Sequence, residues 1–118
     1  MSKIVTMKCQ VPWISPEDTY ERLKRVLPEM PVVNGLKCSP YMSQEKVIIG
    51  TTERSLVSVY KNPNDSTMQF KGDDVLIGLT NKIMDELLLD TIKEKALRNK
   101  YHVTVSREKD RMTVLLER

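Results

Sequence analysis

Residues 46–71 read KVIIGTTERSLVSVYKNPNDSTMQFK. Short runs rich in Val, Ile and Tyr alternate here with polar clusters, which is the signature of strands broken by turns. Asn62-Pro63-Asn64-Asp65 is a turn by composition. Thr67–Lys71 follows as a short strand whose inward residues are Met68 and Phe70. Around Thr51-Thr52-Glu53-Arg54 two readings fit: Lys46–Lys61 is one long strand, or it is a hairpin turning at Thr52–Arg54. Under either reading the middle of the chain is sheet, and the flanking elements must cover it.

Upstream, Pro31–Gln44 has no clear period and holds Asn34-Gly35 and Pro40, so it is expected to be a long loop with a short strand at Val32–Val33. Before it, ISPEDTYERLKRVLPEMP (14–31) has the marks of a helix. Ser15 suits the N-cap, Pro16 the first helical position, and Asp18 stands where a capping box prefers Glu. Tyr20, Leu23, Leu27 and Met30 share one face, while Asp18–Arg22 and Glu21–Arg25 are acid-first pairs on the outside. Pro28 is expected to stop the helix near Val26 or Leu27. The first strand is Ile4–Val11, where Val5, Met7, Cys9 and Val11 alternate with Thr6, Lys8 and Gln10.

Downstream, Asp73 or Asp74 can cap a helix running from Val75 to about Arg98, with Leu76, Leu79, Ile83 and Leu87 in one stripe. A helix of about 36 Å exceeds the usual length, so a break near Leu89–Asp90 is expected. Asn99 suits the left-handed residue after it. YHVTVSREKDRMTVLLER (101–118) reads as a hairpin, with Val103, Val105, Met112, Val114 and Leu116 inward and Leu115 outward. The expected fold is therefore α+β: an antiparallel sheet with two helices on one face, ferredoxin-like β-α-β-β-α-β plus an extra C-terminal strand. One domain, 1–118, is expected.

With 40% hydrophobic and 30% charged residues the chain is globular rather than disordered in composition. A net charge of +3 permits a polyanionic partner without demanding one. Cys9 and Cys38 form no CxxC pair, so neither a zinc ribbon nor a dithiol redox motif is available. Cys9 reads as buried and Cys38, in GLKCSPYMSQ, as exposed; a reduced, cytoplasmic setting fits them. No secretory leader and no membrane-spanning run is expected.

Motifs for catalysis are not found: none of Gly35, Gly50, Gly72 and Gly78 belongs to a phosphate loop, and His102 has no acidic neighbour in local sequence. Catalytic, cofactor-binding and metal-binding residues are therefore expected to be none, and no cofactor is expected. An RNA-reading sheet of ferredoxin-like order stacks bases on aromatics in its two central strands. Those strands would be Ile4–Val11 and Thr67–Lys71, which offer only the inward Phe70. Basic residues do concentrate toward the C-terminus, at Lys93, Lys95, Arg98, Lys100, Arg107, Lys109 and Arg111, where a patch for nucleic-acid backbone could lie. Trp13 either staples the strand to the helix or joins Tyr41, Met42, Leu89, Leu97 and Leu115 in a protein-binding surface.

The stretch LLDTIKEKALRNKYHVTVSREKDRMTVLLER (88–118) resembles the close of a family of small uncharacterised proteins, the hypothetical chloroplast reading frames and their cyanobacterial and phage counterparts. Those end in a charged helix, an aromatic residue and two alternating strands around an acidic turn. The family's Gly before the aromatic is replaced by Lys100, and its tryptophan-bearing middle has no counterpart. The resemblance implies no catalytic residue. Three functions follow in order of expectation. The first is a small non-catalytic interaction domain that binds another protein, self-association as a homodimer included. The second is a nucleic-acid binder without sequence preference, using the basic C-terminal segment. The third is an enzyme of unlisted type.

Overall fold

The computed structural model describes residues 3–27, 30, 32–108 and 111–118. Strand β1 (Ile4–Pro12) alternates as expected, with Cys9 and Val11 buried. Helix α1 (Pro16–Val26) starts where Ser15 Oγ accepts the Asp18 N–H at 3.0 Å. The Asp18 carboxylate does not turn back to the cap but takes Arg22 Nε at 2.9 Å, and Arg22 is buried rather than outside. The helix closes with Leu27 N–H bonded to the Leu23 carbonyl. Pro28, the expected stop, lies outside the described residues.

The segment expected to be a loop is mostly extended. β2 (Val32–Val33) and β3 (Leu36–Lys37) form a small hairpin about Asn34 and Gly35, both at positive φ (51° and 77°) as such a turn requires. β4 (Ser39–Ser43) then pairs with β5 (Lys46–Gly50). The hairpin reading of 46–61 holds: β6 (Ser55–Lys61) returns along β5 through a turn closed by Thr51 N–H to the Arg54 carbonyl. A further turn at 62–66 leads to β7 (Thr67–Asp73). A turn of 3-10 helix, Asp74–Leu76, opens the unbroken helix α2 (Ile77–Arg98). Lys100, rather than Asn99, takes the left-handed conformation after it (φ 62°). β8 (His102–Glu108) and β9 (Arg111–Glu117) form the closing hairpin.

The protein is α+β, and its five-stranded sheet is antiparallel in the order β1-β7-β6-β5-β4. This corrects the ferredoxin-like order, which would set the first strand in the sheet's centre; here β1 is an edge that pairs with β7 alone. The cause is β4, hidden in the supposed loop. Short turns join β4, β5, β6 and β7 into a meander, so the one free side of β7 falls to β1. The closing hairpin is also not an added strand of this sheet: β8 and β9 pair with each other as a separate ribbon.

Both helices supply one core, where Leu23 of α1, its cap residue Leu27, and Ile83 and Leu87 of α2 join Cys9, Val11, Val47, Ile49, Val57, Val59, Met68 and Phe70. A bulge in β6 turns Leu56 as well as Val57 inward, so both are buried. Val5, Met7 and Leu79 are half-buried at the margin. Cys38 is buried, not exposed, and both thiols are free. Burial pushes each above the ordinary thiol range. The chain divides into two compact units, Met1–Leu88 and Leu89–Arg118. No described helix is long and apolar enough to cross a membrane.

Candidate functional site

Strand alternation gives the five-stranded sheet two unlike faces. The residues facing the helices are the apolar set above. The register shows what the opposite face carries. One row crosses all five strands as Thr6, Lys71, Ser58, Ile48 and Tyr41. A second places Lys8 opposite Gln69 and Gln69 opposite Tyr60, while Lys46 opposes Ser43. Hydroxyls, amides, lysines and two tyrosine rings therefore cover this side.

The strands of the sheet are basic and the helices balanced, with three acids against three bases in α1 and four against four in α2. On this face the strands carry Lys8, Lys46 and Lys71 against one carboxylate, Asp73, while Lys61, opposite Met68 at the end of β6, has the inward parity and reaches the cleft from the strand's end. The acidic residues sit mainly on the helices and in turns, at Glu17, Asp18 and Glu21 of α1 and Asp85, Glu86, Asp90 and Glu94 of α2. A modest overall excess of positive charge thus becomes a basic face on the sheet. Asp65, in the turn after β6, is held below the usual carboxylate range because Thr67 donates both its hydroxyl and its backbone N–H to it. Lys61 and Lys8 reinforce the shift.

A cleft of about 460 Å3 opens on this face, lined by Gln44, Glu45, Lys46, Ser58, Tyr60, Lys61 and Lys71. Three ammonium groups against one carboxylate, beside a half-buried aromatic ring, make a site for an anionic ligand with a flat group. Tyr41 extends the surface: its hydroxyl lies 2.9 Å from Ser55 Oγ on β6, so the side chain leans across β5. Gly50 of β5 pairs with Ser39 and Ser55 on the same side and has no side chain to obstruct the ring.

The residues singled out from sequence are divided between the two units. Trp13 is half-buried, packs on the core and donates its backbone N–H to the Ser66 carbonyl at 2.8 Å, the position of a staple. Tyr41 and Met42 are exposed but on opposite faces of β4. Leu89 is only 3% exposed and drops out of any surface. Leu97 and Leu115 are exposed within the second unit. Of the basic set, Lys93, Lys95, Arg98, Lys100, Arg107 and Arg111 are exposed, and Lys109 lies outside the described residues. Lys93 and Lys95 project about 160° apart around α2, so they cannot share a stripe. Lys93 instead borders a 310 Å3 cleft with Leu97, Tyr101, His102 and Val103. Arg111 pairs with Glu108 at 3.6 Å.

Sequence reasoning missed Lys8, Lys46, Lys61, Lys71 and Tyr60. The signal was present in the alternation of SLVSVYK, but it points outward only when 46–61 is folded as a hairpin. Among the described residues, no group of three or more His, Cys, Asp or Glu is placed to hold a metal ion. No family model, curated protein or solved structure matches the chain.

Proposed function

We propose that the protein binds nucleic acid, without reading its sequence, through the open face of the five-stranded sheet. The observation that carries this is the cleft ringed by Lys46, Lys61 and Lys71 on a face whose strands hold a single carboxylate. Lysine supplies a point charge to phosphate, and Ser58, Gln69 and Thr6 add neutral donors of the kind that fix a phosphate backbone in place. The basic C-terminal segment becomes secondary, since its cations are spread around a helix and a ribbon. Fluorescence anisotropy with labelled oligonucleotides across a salt series tests the proposal. Affinity should fall steeply with salt, and Lys71→Glu or Lys46→Glu should each weaken binding to all sequences alike. Each lost phosphate contact should lower the slope of log K against log salt by about 0.7–0.9. A wild-type protein that shows no binding even at low salt removes the proposal.

A second reading, self-association, is favoured by the β8–β9 ribbon. Val103 and Leu116, Val105 and Val114, and Met112 share one of its faces, none of them fully buried. A two-stranded ribbon gains little stability alone, and a second copy would cover this face. Sedimentation equilibrium decides it: a monomer up to about 100 µM rules out a homodimer of ordinary affinity.

A further inference from the structure

We infer that the sheet face takes single-stranded rather than duplex nucleic acid, with Tyr60 and Tyr41 as surfaces on which unpaired bases stack; this deepens, and rests on, the sheet-face proposal above. Charge alone does not distinguish the two forms, because both present phosphates. The rings do. In a duplex each base is stacked between its neighbours and its flat faces are hidden, whereas a single strand offers them to aromatic side chains.

The placement of the two tyrosines suits that use. Strands lie about 4.8 Å apart, so the bond from Tyr41 on β4 to Ser55 on β6 crosses about 10 Å. A tyrosine makes that reach only by lying along the sheet, which turns one ring face to solvent; Tyr41 is 40% exposed. Ile48 and Gly50 of β5 form the floor beneath it. Tyr60 stands within the lysine-lined cleft. Tyr41 opposes Ile48, Ile48 opposes Ser58, and Tyr60 is two residues beyond Ser58 on the same side. That offset of two strands and two residues separates their Cα atoms by about 12 Å, and the Tyr41 ring leans toward Ser55, at the end of β6 away from Tyr60. The spacing is too wide to clamp one base and leaves room for successive nucleotides, with Lys46 and Lys71 placed for the phosphates of the same strand.

The test measures anisotropy of a labelled mixed-sequence oligonucleotide of about 20 nucleotides, free and annealed to its complement, with the full chain. Single strand should bind at least about tenfold more tightly than duplex. Tyr60→Ala and Tyr41→Ala should each weaken single-strand binding about five- to a hundredfold without altering its salt dependence, and Tyr60→Phe should retain it. Thermal melts check that the variants fold, and Tyr60→Thr, which suits a strand, replaces Tyr60→Ala if that variant does not. Equal affinity for duplex, or tyrosine variants that bind like wild type while Lys71→Glu weakens both forms, would overturn the single-strand inference and leave the sheet-face proposal standing. Binding to neither form at low salt would overturn both.

Discussion

Gly50 shows how one backbone position holds the candidate face together. A Cβ built there would lie 2.6 Å from the Arg54 carbonyl oxygen and 3.0 Å from Ser55 Cα. Both obstacles are backbone, so neither can swing aside, and the turn that returns β6 along β5 would have to open. Gly50→Ala should therefore destabilise the protein by about 1–3 kcal/mol in urea unfolding. Gly78, on α2 with open space around it, should respond oppositely, and Gly78→Ala should stabilise by about 0.5–1 kcal/mol. Asp65 carries a pH dependence of known sign. Its ionised form accepts the Thr67 bonds, so it gives up its proton more readily folded than unfolded. Its contribution is complete above about pH 4 and is lost as the pH falls through the depressed folded value. Acid titration should loosen the 62–67 turn, seen as movement of the Thr67 amide signal, and Asp65→Asn should remove that response.

At the scale of elements, the chain was legible wherever local signals agreed. α1 has its cap, its proline and its stripe in sequence, and it formed over Pro16–Val26. β4 was illegible because Pro40 and the SPYMS composition mimic a loop; Pro40 is tolerated because β4 is an edge strand, where a missing N–H costs no ladder bond. That one strand decided the sheet order, so the topology was beyond local reading even though most elements were not. The face was hidden for the same reason, since Tyr60 and Lys71 become neighbours only through the pairing of Ser58 with Lys71. The β8–β9 ribbon differs from β1, β5, β6 and β7 in having no buried residue along either strand. Its amides should exchange with solvent roughly tenfold or more faster than those of Val57, Val59 and Phe70, which hydrogen exchange followed by NMR would resolve.

Across the whole molecule, the sheet's two faces divide the work the sequence must do. Apolar residues at alternate positions specify the fold, and the positions between them are released for charge and aromatic surface. The edge position of β1 has a kinetic consequence. Every other join in the sheet links strands adjacent in the chain, but Ile4 must find Asp73. Loop closure over such a distance is a cost met before any contact rewards it, and non-local pairings slow folding. The β4–β7 meander should therefore form early, with β1 docking late. Conservative truncations in β6, such as Val59→Ala, should slow refolding, whereas Val11→Ala should mainly speed unfolding. On the ribosome the order is inverted, since β1 emerges before β4–β7 and has no partner until β7 has been made. During synthesis β1, apolar along one side, therefore waits unpaired until β7 is made, and a chaperone that covers it in that interval would guard against aggregation.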